Sequence, residues 1–125
     1  GELLKGMLEG IALEMKLNVD ILETSGIHID QFMAAGGGCT NPKLVQLKAD
    51  VLNKPLSCPP VKECGCRGAA LLAQSAVENV SVTDLPHLRI KHAQCFKPRA
   101  EFAELYQKKF QQYSHFSQNV RNMFT

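Results

Sequence analysis

Along the first part of the chain Leu4, Leu8, Ile11, Met15, Val19 and Leu22 recur at steps of three and four, with Glu9, Glu14, Lys16 and Asp20 between them. That period gathers the apolar side chains on one face and predicts an amphipathic helix from Glu2 to Glu23, ended by Gly26. Ile27-His28-Ile29 and Phe32-Met33-Ala34-Ala35 are short, apolar and flanked by glycine, which suits a strand buried on both faces. Gly36, Gly37 and Gly38 break that run. Asn41 then reads as an N-cap with Pro42 at the first helical position, and Leu44, Leu47, Val51 and Leu52 form one face of a second helix that Asn53 and Pro55 stop.

Leu56 to Cys58 is a minimal second strand closed by Pro59-Pro60. Cys64 to Val80 reads as a third helix, whose Ala69, Ala70, Ala73 and Ala76 permit close packing. The last helix begins near Pro98 and carries Phe102, Leu105, Tyr106, Phe110, Tyr113 and Phe116 on one stripe, expected to pack as core. Helix and strand alternate, so the expectation is an α/β layer of short parallel strands joined by right-handed crossovers, with a C-terminal helix. Two strands make a poor sheet, and Gly1 opens directly on the helical pattern without an initiator methionine. Both lead us to expect a fragment whose upstream part is missing. Its open strand edges and helix faces would pair, giving a homo-oligomer.

Composition narrows the class further. At 125 residues the chain is one domain, and a formal charge of +2 is too small to indicate a nucleic-acid partner. Charged residues interrupt every apolar stretch before the length of about 20 that a membrane span needs, and no secretory signal pattern is present. The five cysteines, Cys39, Cys58, Cys64, Cys66 and Cys95, are odd in number and lack the spacing of a disulfide framework, which favours a reducing cytoplasm.

Candidate chemistry centres on the glycine run. Consecutive glycines expose backbone N–H groups that a side chain would otherwise shield, and a helix N-terminus attracts phosphate. On these residues alone, a tight strand-to-helix turn with an ordinary asparagine cap satisfies the pattern equally well. A dinucleotide fingerprint is absent, because Pro42 follows the glycines and no acid ends the second strand. Cys58, Cys64 and Cys66 do not have zinc-site spacing, although a thiol at a helix N-terminus can be acidified. Asp50, among apolar neighbours, and Glu63, at a helix N-terminus, read as structural. His28, His87, His92 and His115 are isolated from one another, and Arg99, Lys108, Lys109 and Arg121 read as a solvated face.

Four linked segments carry a resemblance: Ala35-Gly36-Gly37-Gly38-Cys39-Thr40-Asn41-Pro42, Gln46-Leu47-Lys48-Ala49-Asp50-Val51-Leu52, Lys54-Pro55-Leu56, and Glu63 with Arg67-Gly68-Ala69-Ala70-Leu71-Leu72-Ala73. In order and spacing they resemble the FGGY carbohydrate kinases, and Leu8-Glu9-Gly10-Ile11-Ala12 extends the similarity upstream. Phe96-Lys97-Pro98 and Tyr106 to Tyr113 are similar, more loosely, to xylulokinase-type members. The resemblance implies part of an actin-like (ribonuclease-H-like) C-terminal domain. Residues 1–97 would be the latter part of its nucleotide-binding domain and 98–125 the helix and tail of the same domain.

It further implies a parent enzyme that transfers the ATP γ-phosphoryl group, with Mg²⁺, to a carbohydrate hydroxyl, a pentulose such as xylulose being the nearest match. The catalytic aspartate and most sugar contacts would lie upstream, so no residue here is expected to be catalytic and the fragment alone to be inactive. Gly37 and Gly38 match positions whose backbone lies against the adenosine and α-phosphate, and Asn41 one that reaches the adenine edge. Gly36 would serve the turn and Cys39 would line the pocket or lie beneath it, with Thr40 and Lys43 as secondary candidates. The alternative is a non-catalytic kinase-like module serving packing or oligomerisation.

Overall fold

The 3.6-residue period at the start of the chain folds as α1 (Glu2–Thr24) in a computed structural model that describes residues 1–61, 63–85 and 93–124. Its buried seam runs through Glu9, Ala12, Leu13 and Val19, while Leu4 and Ile11 stay 63 and 57 % exposed. This helix carries apolar residues on more than one face, and periodicity cannot say which face finds a partner. After Gly26, at φ +89°, residues 27–31 are irregular. The strand expected at Ile27–Ile29 is not formed: the Ile29 carbonyl accepts from Lys54 Nζ at 2.7 Å, and its side chain packs against the core from outside the sheet.

The sheet is built around β2 (Leu56–Cys58). On one side β1 (Phe32–Met33) pairs parallel to it, Phe32 opposite Leu56. On the other β3 (Gln94–Phe96) pairs antiparallel, Leu56 opposite Phe96. The parallel pair was legible in the sequence; β3 was not, and it makes the sheet mixed. Gln94-Cys95-Phe96 shows no alternation strong enough to announce a strand, and only pairing with β2 makes it one.

Between β1 and β2 the chain passes through α2 (Pro42–Leu52), which is wrapped on both sides. Val45, Ala49 and Leu52 meet Val19, Leu56 and Cys58 in one apolar cluster, and Val51 joins Ala12, Leu13, Tyr106 and Phe110 in a second. Asn53 ends the helix in the left-handed conformation, φ 52°, as an asparagine readily does. α3 (Cys64–Glu78) buries none of its residues, and its alanines do not form the close packing expected of them among the described residues. Ser75 Oγ donates to the Val80 carbonyl at 2.6 Å, tying its end to the short turn Val82–Asp84.

α4 (Ala103–Asn122), entered through the turn Ala100–Phe102, lays Tyr106 and Phe110 into the second cluster, with Phe102 and Tyr113 half-buried and Phe116 exposed. Polar contacts fix its register on α1. Tyr106 Oη donates to Glu9 Oε1 at 3.3 Å, Lys109 Nζ to Glu9 Oε2 at 2.6 Å, and Tyr113 Oη to Glu14 Oε2 at 2.7 Å. Lys109 is therefore paired rather than simply solvated. Burial, reinforced by the Glu9 charge, pushes the Tyr106 phenol up to about 12; the hydrogen bond to Glu14 raises that of Tyr113.

Asp50, read as structural, is so, and Arg99 is the second correction to the charge pattern. The Asp50 carboxylate, fully buried, accepts from the Arg99 backbone N–H at 2.9 Å, Arg99 Nε at 3.2 Å, Arg99 Nη2 at 2.7 Å and Gln46 Nε2 at 2.9 Å. Gln46 Nε2 also donates to the Lys97 carbonyl at 2.8 Å. Arg99, expected on a solvated face, instead anchors the approach to α4 onto α2. Among the described residues no helix is long and apolar enough to cross a membrane.

Candidate functional site: the glycine turn

Parallel pairing brings the carboxyl ends of β1 and β2 to one edge of the sheet, where the Ala34 N–H donates to the Ser57 carbonyl at 2.9 Å. Open α/β sheets bind ligands beyond that edge. Here the chain makes a single turn of 3₁₀ helix, Gly36–Cys39, before α2 begins. Gly36 opens it at φ +77°, a conformation in which a Cβ is strained. Thr40 closes it twice on the Gly37 carbonyl, through its N–H at 3.2 Å and its Oγ1 at 2.7 Å. Asn41 then caps α2, its Oδ1 accepting from the Lys43 N–H at 3.0 Å. That bond uses the carbonyl side of the amide and leaves the donor side, Nδ2, for other work.

Gly37 and Gly38 differ from Gly36. Neither adopts a positive φ, and a Cβ built at Gly37 would meet nothing within 4 Å. At Gly38 it would meet only Lys48 Nζ, at 3.7 Å, an ordinary contact. Neither turn geometry nor packing among the described residues requires glycine at these two positions. Both are exposed on the crest of the turn, where backbone can be approached from outside.

Lys48 is the residue that reading the sequence missed. It lies seven positions after the cap, two turns along α2 and on the same face, and helical side chains lean toward the N-terminus. Its ammonium consequently sits beside Gly38, and its charge also reaches Cys58. The available signal was this spacing.

The other expected residues divide between two cavities, and Gly37 and Gly38 line neither of them. Gly36, Cys39 and Thr40 line one of about 310 Å³ together with Cys58, Pro59, Pro60, Val61 and Gln94. Asn41 lies on another of about 490 Å³, between α1, α2 and the start of α4, with Lys43, Leu47, Arg99 and Phe102. Cys39 is half-buried against the cluster that contains Cys58. Burial, with the contact from Cys39, pushes the Cys58 thiol up to about 11.

Cys64 Sγ donates to the Val61 carbonyl at 3.2 Å, Cys66 is exposed, and Glu63 stands at the N-cap of α3 without a side-chain cap bond. Among the described residues no group of three His, Cys, Asp or Glu is placed to hold a metal ion. His28 pairs with Asp30 at 2.9 Å and His115 meets Asn119 at 3.3 Å; His87 and His92 lie outside the described residues.

Comparison with known proteins identifies the family. The profile described as the FGGY family of carbohydrate kinases, C-terminal domain, matches residues 1–77. A ribulokinase of Mycolicibacterium smegmatis is 35 % identical over 72 residues, 58 % of this chain and 13 % of that protein. A probable L-xylulose kinase of Haemophilus influenzae is 25 % identical over 121 residues, 97 % of this chain and 24 % of that protein. Among solved structures, a xyloylose kinase from Brucella ovis superposes with a TM-score of 0.84 at 22 % identity, covering 97 % of this chain and 25 % of its own. The chain thus spans a quarter or less of the length of these relatives. The fold it shares with them is the actin-like, ribonuclease-H-like kind of mixed α/β arrangement.

Proposed function

We propose a function from one established premise, that this chain belongs to the FGGY family of carbohydrate kinases: it holds the adenosine end of ATP within a sugar kinase. The observation that carries this reading is the pair Gly37 and Gly38, glycines that their own fold does not need, on the crest of a turn at the carboxyl edge of the parallel strands. Their backbone N–H groups face the adenosine and α-phosphate, with Gly36 shaping the turn and Cys39 lining the cavity beneath. The Asn41 amide donors reach the adenine edge while its oxygen keeps the helix cap. Lys48, beside Gly38, supplies positive charge toward the phosphates.

ATP, with Mg²⁺ on its phosphates, supplies the γ-phosphoryl group that passes to a carbohydrate hydroxyl, a pentulose such as xylulose. The cavity lining offers thiols, a hydroxyl, a side-chain amide and backbone, but no carboxylate suited to a hard cation, so the Mg²⁺ contacts are assigned to the upstream part. The proton of the sugar hydroxyl is taken there too. Residues 1–97 form the latter part of the nucleotide-binding domain and 98–125 its closing helix and tail, in a cytoplasmic enzyme. By itself the chain contributes positioning, the main resource of phosphoryl transfer, and no catalytic group.

Calorimetric titration of the chain with ATP and ADP tests this, with saturable heat expected. Gly38→Val, which puts a branched side chain on the crest, should abolish it. A folded chain that takes up neither nucleotide refutes the reading, and sugar phosphorylation by the chain alone refutes the division of labour. One observation favours a second reading, a module serving oligomerisation. Leu3 and Met7 on α1, 81 and 62 % exposed, and Leu72 and Val77 on α3, 63 and 86 % exposed, are apolar side chains that a second copy could cover. A monodisperse monomer in light scattering would count against it.

A further inference from the structure

Cys39 and Cys58 are far apart in sequence but end two elements that meet. Cys39 is the last residue of the glycine turn and Cys58 the last of β2, and parallel pairing of β1 with β2 puts both ends at one edge of the sheet. Cys39 packs against the apolar cluster that contains Cys58, and both line the 310 Å³ cavity beside Gly36 and Thr40. That cavity gives a small oxidant a way in. Neither the packing of the core nor the nucleotide reading explains why the two facing side chains should both be thiols.

We infer that Cys39 and Cys58 are a modification site, a thiol pair that a hydroperoxide converts to a reversible disulfide, pinning the glycine turn to the end of β2. Cys39, the more accessible partner, reacts first. Its sulfur attacks one peroxide oxygen, the O–O bond breaks, and the products are Cys39 sulfenic acid and an alcohol, or water when the oxidant is hydrogen peroxide. Cys58 stays protonated at neutral pH, because burial and the contact with Cys39 hold its thiol at about 11, so it acts second. Its sulfur attacks the sulfenic sulfur, the S–O bond breaks, and the leaving hydroxide takes the Cys58 proton as water. Two thiols are oxidised and one peroxide is reduced, so the step balances without another reactant. The new bond draws Cys39 onto the strand end and narrows the cavity. The further consequence, loss of nucleotide binding, rests on the function proposed above.

The test uses the full chain with Cys64, Cys66 and Cys95 replaced by Ser, which leaves only this pair, treated with hydrogen peroxide and mapped by mass spectrometry after alkylation. Expected are an intact mass lower by two hydrogens, a linked peptide joining Cys39 to Cys58, reversal by dithiothreitol, and no linkage after Cys39→Ala. The same mapping on the unsubstituted chain guards against an effect of the serines. Addition of oxygen to Cys39 without linkage, an unchanged mass, or linkage only between two chains overturns the proposal. ATP titration of the reduced and oxidised forms separates the two inferences. Binding by the reduced form alone supports the loss of nucleotide binding on oxidation, and equal binding by both overturns that consequence. Binding by neither, with the linkage formed, leaves the disulfide standing and removes the nucleotide reading.

Discussion

Replacing Asp50 by Asn strikes the contact that joins α2 to the approach of α4. The carboxylate side chain is wholly buried and receives three donors from Arg99 and one from Gln46. An asparagine fills the same space and keeps one carbonyl oxygen for the Arg99 N–H, but it turns an NH₂ group toward the guanidinium, so two donors face each other. A hydrogen bond to a charged group contributes about 1.5–3 kcal/mol, and two to the guanidinium are lost. Arg99 is half-exposed and recovers part of that from water, which leaves a net cost at the Asp50 site of about 3 kcal/mol, the lower edge of what breaking a buried pair costs. For a chain of this size that lowers Tm by about 10 °C. Thermal melting followed by circular dichroism measures it, and urea melts should show a lower midpoint at unchanged slope. A Tm within about 2 °C of the parent would refute the reasoning. It would mean that Arg99 makes its contacts no better folded than unfolded.

Both tyrosines of the chain bond to glutamates of α1, so tyrosinate absorbance should develop above the ordinary range near pH 10, with Tyr106 titrating at about 12. The folded pKa is the raised one, so this stability is complete below the unfolded value and drains away as pH climbs through the folded one; a native chain titrating like free tyrosine would contradict it. Gly36→Ala, at φ +77°, should destabilise by about 1–2 kcal/mol, whereas Gly37→Ala should leave stability within about 0.5 kcal/mol and still weaken ATP binding. Equal losses at the two glycines in urea melts would remove the distinction between them. Lys54 Nζ holds Glu23 at 2.8 Å, and that hydrogen bond keeps the Glu23 carboxyl below the ordinary range. Its contribution is present above the unfolded pKa and fades as pH falls through the folded one, so Glu23→Gln should shrink the gap between the neutral and acid melting points. An unchanged gap refutes it.

How far the sequence reached depended on the distance over which each feature is decided. The Asn41 cap, Pro42 at the first helical position, the stop at Asn53 and the turn at the glycines are settled by dihedral preferences and hydrogen bonds within four residues, and all could be read directly. Four linked segments in order also sufficed for the family. The glycine turn was recognised as a candidate site for the same reason, since its backbone chemistry is local.

Other features exist only once distant residues meet. β3 is a strand because β2 offers it an edge, and Asp50 is an anchor because Arg99 arrives from 49 positions away. Which face of α1 is buried depends on where α2 and α4 lie, not on the period of α1 itself. Cys39 and Cys58 line one cavity because the glycine turn and β2 end at the same edge of the sheet. By itself, then, the sequence determined the helices, the parallel pair β1 and β2, their order, the family and the glycine turn, because those rest on short-range energies. The third strand, the buried ion pair, the division of the site between two cavities and the thiol pair were decided by tertiary structure, where burial and charge act between residues that the chain order keeps apart.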